Sequence, residues 1–178
     1  MDHALEAELA KMAAEDQRLR KPPPGSKVEF VRRVDLQTRM EAQRIDVANT
    51  DRLREIVSQY GWPGRSLVGE KGAHHAWLIA QHADRQLDFQ REALELLADA
   101  VGRGDAAQRD LAYLTDRVRM NEGREQVYGT QIAEVKDGNG VPWPVEDPSN
   151  LDARRAAVGL PPFEEYCRNW PNPPSPPS

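Results

Sequence analysis

Cysteine is all but missing. Cys167 stands alone, which excludes an intrachain disulfide and any metal site built from several thiolates. Long apolar runs are missing too: the longest is Ala76–Ala80, where a bilayer span needs about 20 residues. Charge of one sign is nowhere concentrated. Twenty-four Lys and Arg interleave with twenty-nine Asp and Glu for a net −5, and without a basic stripe nucleic acid is not an expected partner. The opening Met1-Asp2-His3-Ala4-Leu5-Glu6 has neither the basic start nor the apolar stretch of a signal peptide. A soluble cytoplasmic protein with no membrane partner is therefore expected. Apolar residues make up 39% of the chain, below the usual figure of about 45–50%. Pro-rich ends dilute that fraction, and the middle of a 178-residue chain can still close one core.

What is present is mostly helical period. Leu5, Leu9, Met12 and Ala13 recur at i, i+4, i+7 and i+8, which predicts a first helix ending before Pro22-Pro23-Pro24-Gly25. From Val28 to Tyr60 an imperfect stripe of Met40, Ile45, Ala48, Leu53, Ile56 and Val57 predicts a second helix with an open start. Gly61-Trp62-Pro63-Gly64 breaks the chain sharply. In the stretch 73–83 the later turns are apolar on every side, the mark of a buried helix. Asp84 is expected to cap the next helix, with Phe89, Ala93, Leu96, Leu97, Ala100 and Val101 inward and Gly102 and Gly104 as its stop. Leu111, Leu114, Thr115 and Val118 predict one more, ending near Gly123.

The period then changes. Residues 127–135 are β-branched and loosely alternating, and 141–145 follow an Asp-Gly/Asn-Gly turn, which predicts a hairpin whose second strand, with two prolines, lies at an edge. A short helix opens at Asn150 or Asp152 and closes at Gly159, and Phe163 to Trp170 adds a turn or two. Residues 171–178 are Pro/Ser-rich and expected to be a disordered tail. The expected architecture is mainly α: a compact bundle of five or more helices in one domain, residues 1–170, with a hairpin near 127–145.

Candidate chemistry gathers at the end of the apolar helix. Gln81 and His82 there need hydrogen-bonding neighbours, since a buried polar group without partners costs about 1–3 kcal/mol. His82 is either a satisfied core histidine or a general acid/base, for which an ordinary pKa of about 6.5 suits neutral pH. A metal site is not expected. His75 and His82 share a face but stand roughly 10 Å apart along the axis, and His74 and His75 diverge by about 100°. Tyr128-Gly129-Thr130-Gln131 holds a glycine between two polar residues, which suggests a bulge or a close backbone approach; the plainer alternative is a hairpin packed on helices. Asp116 and Arg117 fall on a solvated face unless a second layer covers them, and Asp16-Gln17 is expected to be a solvated helix end. Gly61-Trp62-Pro63-Gly64-Arg65-Ser66 lacks the ending of a phosphate loop, no nucleophile elbow occurs, and Cys167 has the setting of an inert thiol.

These pieces in this order resemble a bacterial family known only as a domain of unknown function. The resemblance rests on Asp16-Gln17, Gly61-Trp62-Pro63, the Gly69 region, Ala76-Trp77-Leu78-Ile79 with Gln81-His82-Ala83-Asp84, and Phe89-Gln90. It continues through Tyr113-Leu114-Thr115-Asp116-Arg117-Val118, Gln126, Tyr128-Gly129-Thr130-Gln131, and Arg155 with Gly159-Leu160. It spans about residues 5 to 168 and implies a compact helical domain; no activity comes with it. The polar residues singled out above fall inside its motifs, which favours a polar pocket over pure packing.

The resulting expectation is a cofactor-independent acid/base enzyme for a small polar metabolite or peptide, working by hydrolysis, elimination or cyclisation. His82 transfers the proton, oriented by Asp116 or Asp84. Gln81, Tyr128, Gln131 and Trp62 hold the substrate, and Arg117 pairs with an anionic group. Nineteen arginines against five lysines, with Ala-rich helices, fit a GC-rich bacterium and a role in specialised biosynthesis. The alternative is a non-catalytic protein that binds a ligand or partner through the same residues.

Overall fold

The computed structural model describes residues 1–20, 35–168 and 170. Among them are seven α-helices and one late antiparallel hairpin, so the protein is mainly α. No described helix is long and apolar enough to cross a membrane. Contacts group the chain into two compact units, Met1–Ala106 and a second from Ala107 onward.

The first unit holds four helices. Helix α1, His3–Arg18, starts at Asp2, whose carboxylate accepts the N–H groups of Ala4 and Leu5 at 3.1 and 3.0 Å. It buries the expected Leu5, Leu9, Met12 and Ala13, and also Asp16. Helix α2, Leu36–Tyr60, is capped by Asp35 through the Thr38 N–H at 2.9 Å. Its second half buries Thr50, Leu53, Ile56 and Val57, while Leu36 and Met40 stay exposed. The expected stripe thus packs only over its last three turns, and the expected start, residues 28–34, lies outside the described residues.

After the Gly-Trp-Pro-Gly break comes α3, Arg65–Gln81, kinked at Gly69. Its first turn is held by Asp105, whose carboxylate accepts the Ser66 N–H at 2.6 Å and the Ser66 hydroxyl at 3.0 Å. Gly64 permits that approach, since a Cβ there would sit 2.0 Å from Asp105 Oδ2. Ala73, Ala76, Trp77, Ile79 and Ala80 are buried, as the apolar wheel predicts, and Val68 before the kink is buried with them. Helix α4, Leu87–Gly102, turns Phe89, Ala93, Leu97 and Ala100 inward. Each fully hidden Leu, Ile or Phe in this core contributes about 1.5–3 kcal/mol relative to exposure. The expected cap is corrected here. Gln86 occupies the N-cap position but its side chain makes no capping bond to the helix, and Asp84 instead accepts from Gln90 Nε2 at 3.2 Å. The same Gln90 amide reaches the carbonyls of Ala80 and Gln81 at 3.2 and 3.3 Å, closing the end of α3.

The second unit begins with α5, Gln108–Asn121, which buries Ala112, Leu114 and Val118 together with Asp110 and Asp116. The hairpin pairs β1, Ile132–Lys136, with β2, Asn139–Pro142. Its two-residue turn is Asp137-Gly138, both at positive φ (51° and 82°), as an Asp-Gly hairpin demands. The first strand starts five residues later than the expected 127. Residues 127–131 do not join the strand: the N–H groups of Val127, Tyr128 and Thr130 are bonded to Asp116 and that of Gln131 to Gln126. A short 3-10 turn, Pro148–Asn150, leads into α6, Leu151–Ala157, and Gly159 ends it. Helix α7, Phe163–Arg168, takes its first bond from Asp152, which accepts the Phe163 N–H at 2.8 Å. The expected disordered tail, residues 171–178, lies outside the described residues.

Candidate functional site

In the first unit, His82 occupies the position immediately after α3. Its Nδ1 lies 2.8 and 3.0 Å from the two oxygens of Asp16. The Asp16 side chain is 2% exposed and that of His82 16%. A proton on Nδ1 is what this contact requires, which leaves Nε2 as the basic nitrogen. Nε2 makes no hydrogen bond among the described residues, and the ring keeps part of its surface open.

Three further groups complete the cluster. Gln17 Nε2 donates to Asp16 at 2.8 Å, Arg20 Nε donates to it at 3.2 Å, and Arg20 Nη2 pairs with Asp46. Burial pushes the Asp16 carboxyl up, but His82, Arg20 and Gln17 outweigh it and hold the group below the ordinary aspartate value. Asp46 goes the other way: burial raises it despite the same arginine. Two carboxylates sharing one guanidinium are thereby pushed apart, Asp16 below and Asp46 above the ordinary aspartate value.

The sequence places Asp16 at a solvated helix end; in the structure it is buried and bonded to His82. The signal was there. Residues 5, 9, 12 and 16 are spaced four, three and four apart, so Asp16 extends the apolar stripe of α1 onto the core face. An acid at a core position needs a partner, and His82 is that partner.

The other sequence-nominated residues of this unit are placed as follows. Gln81 is buried, and its Oε1 has no partner among the described residues. Asp84 serves Gln90 as described above. Trp62 is buried, its Nε1 without a partner among the described residues, and it precedes α3 whereas His82 follows it. An open hollow of about 420 Å³ lies against Met40, Arg44, Val47 and Arg85, and none of the site residues nominated from sequence lines it.

In the second unit Asp116 is completely buried. Its Oδ1 accepts the N–H groups of Val127 and Tyr128 at 2.8 and 3.0 Å. Its Oδ2 accepts the N–H and the hydroxyl of Thr130, both at 2.9 Å. Burial leaves this carboxyl above the ordinary value, although four donors pull it down. The solvated-face expectation for Asp116 is corrected; the covering layer is the loop it binds.

From Thr130 the chain of contacts continues outward. Gln131 Nε2 donates to the Thr130 hydroxyl at 2.9 Å, and Arg117 Nη1 donates to Gln131 Oε1 at 2.9 Å. Asp116, Thr130, Gln131 and Arg117 thus form one relay. Tyr128 joins through its backbone, and burial together with the Asp116 charge raises its phenol.

Side chains close the remaining groups of the loop. Gln126 accepts the Gln131 N–H at 2.6 Å and donates to the carbonyls of Gln131 and Trp143. Arg154 donates to the Val127 carbonyl at 2.9 Å, Arg155 to that of Tyr128 at 2.6 Å, and the Tyr166 hydroxyl to that of Thr130 at 2.7 Å. Gly129 sits at φ +65 under the Phe163 ring, the close approach expected of it; a Cβ there would lie 2.7 Å from Phe163 Cε2. Gln126, Arg154, Arg155 and Tyr166 were not nominated as site residues. Sequence marks Gln126 and Arg155 only through the motifs that carry the family resemblance.

Among the described residues no three His, Cys, Asp or Glu side chains gather in a way that could hold a metal ion. No curated protein and no solved structure is significantly similar to the chain. A family model does match, over residues 3–172, and the chain belongs to that family, DUF6624, a family of unknown function.

Proposed function

We propose that the protein is a cofactor-independent acid/base enzyme that acts on a small polar metabolite or peptide, by hydrolysis, elimination or cyclisation. His82 moves the proton through Nε2. Asp16 fixes the ring and stabilises the imidazolium that forms when Nε2 takes a proton, the role a buried carboxylate has behind a catalytic histidine. The observation that carries this reading is the 2.8 Å contact from His82 Nδ1 to a carboxylate with 2% of its side chain exposed. Gln81 supports it: the amide next in the chain keeps its acceptor oxygen without a protein partner. Arg20 and Gln17 keep Asp16 charged and in place, so the dyad is ordered before any substrate arrives.

A second reading rests on the loop 126–131 of the other unit. Its backbone is held by so many side chains that the buried Gln131 fixes the half-buried Arg117 of α5 in one position, which suits recognition without chemistry.

The test is a panel of p-nitrophenyl esters, peptide p-nitroanilides and β-hydroxy acids offered to the wild type and to His82→Gln. Catalysis through His82 requires a turnover in the wild type that falls at least about a hundredfold in the variant while folding is retained. Turnover that survives in a folded His82→Gln protein overturns the assignment. No turnover, with saturable binding that Arg117→Ala removes, establishes the second reading instead.

A further inference from the structure

Arg155 is the largest side chain among those completely buried, and it makes no ion pair among the described residues. Its Nε donates to the Pro161 carbonyl at 2.7 Å and its Nη1 to the Tyr128 carbonyl at 2.6 Å. Nη2 has no acceptor among the described residues. The guanidinium carbon lies 4.8 Å from the centre of the Tyr166 ring and 5.5 Å from that of Phe163. One carboxylate, Asp152, acts on the Arg155 charge without a direct contact. Asp152 accepts the Phe163 N–H at the start of α7, and Asp116 accepts the N–H of Tyr128, the residue whose carbonyl Arg155 takes. A guanidinium does not surrender its proton inside a protein, and a buried charge is held only where partners satisfy it. One edge of this cation is therefore unfilled. Tyr113 and Cys167, which also act on the Arg155 charge, are only half-buried, as is Phe163, so this surround reaches the surface.

We propose that Nη2 of Arg155 anchors a site for a small monovalent carboxylate, of the size and charge of formate or acetate, free or carried on a ligand. The bound oxygen accepts from Nη2 and sets a negative charge directly against the guanidinium. Binding there completes the clamp on the Tyr128 carbonyl and so stiffens loop 126–131. The site lies within the second unit and does not depend on His82.

The experiment uses the full chain with 15N-labelled arginine. The Arg155 side-chain resonances are followed while formate, acetate, chloride and neutral formamide are added in turn at constant ionic strength, with thermal melts alongside. Formate or acetate is expected to shift the Arg155 signals saturably and to raise the melting temperature, and formamide to do neither. Arg155→Lys is expected to lose the saturable response. Should that variant not fold, the wild-type titration decides alone. Arg155 signals that ignore every anion mean an ordered water only and overturn the proposal. Chloride saturating as tightly as formate overturns the carboxylate assignment.

Discussion

Asp116→Asn removes charge and one acceptor oxygen from a completely buried carboxylate while keeping its shape. In the wild type two oxygens serve four donors: three backbone N–H groups and the Thr130 hydroxyl, at 2.8 to 3.0 Å. An asparagine can accept from at most two of them, and its NH2 then faces the other two. The Val127 and Tyr128 amides are part-buried and can take water, at about 1 kcal/mol or less each. The Thr130 donors are buried, and stranding them costs about 1–3 kcal/mol each. Relief of the buried carboxylate's desolvation offsets part of this. The expected net loss for Asp116→Asn is about 3 kcal/mol, roughly a hundredfold in the folded-to-unfolded ratio. Urea unfolding of the second unit gives the energy, and amide hydrogen exchange locates it. The N–H groups of Val127, Tyr128 and Thr130 should lose protection well beyond the rest of the unit. A variant within about 1 kcal/mol of the wild type, with those three amides still protected, refutes the view that Asp116 holds the loop.

Three further outcomes can be checked with the same protein. Gly129→Ala should destabilise by about 2–3 kcal/mol in urea melts, because φ +65 and the 2.7 Å approach to Phe163 are both unfavourable; adding Phe163→Leu should recover only the steric part. His82→Gln should cost about 1.5–3 kcal/mol, the value of a hydrogen bond to a charged group, because Arg20 and Gln17 still hold Asp16. A loss far beyond that in the same melts would make the histidine chiefly structural. Asp16 titrates below the ordinary aspartate value of 3.8, so its contribution is complete above that pH and is lost as pH falls toward the lowered folded value. The acid limb of the stability curve below pH 4 should therefore be shallower in Asp16→Asn than in the wild type.

The helices were legible because burial in them follows period. Leu5, Leu9 and Met12 mark one face of α1, the all-round apolar turns of α3 mark a buried helix, and Asp137-Gly138 marks the hairpin turn. Reading failed where a polar side chain replaced the backbone as a hydrogen-bond partner. Residues 127–131 have strand composition, yet three of their N–H groups are bound by Asp116, eleven to fourteen residues away in sequence. Local pattern carries no trace of such a bond. The same limit hid Asp16: its partner His82 is 66 residues away, and only the four-three-four spacing of the α1 stripe betrays that an acid lies on the core face.

This also explains why the motifs look as they do. The Asp116-Arg117 and Tyr128-Gly129-Thr130-Gln131 segments are two halves of one construction, an acid with the loop it closes and an arginine with the amide that loop delivers. Asp16-Gln17 and Gln81-His82 form a second such pair, a carboxylate with its holder and an imidazole with a vacant amide beside it. Packing alone asks for volume and apolarity, and Leu or Met at position 16 would satisfy it. Keeping an aspartate there, bonded to three polar side chains at once, costs desolvation that a hydrophobic residue avoids. The expense is understandable if the imidazole has to stay in one orientation with Nε2 free. Asp16→Leu with His82→Leu puts that argument at risk. If the double variant is at least as stable as the wild type and loses turnover, the pair is retained for chemistry; if it is less stable by several kcal/mol, the pair belongs to the core.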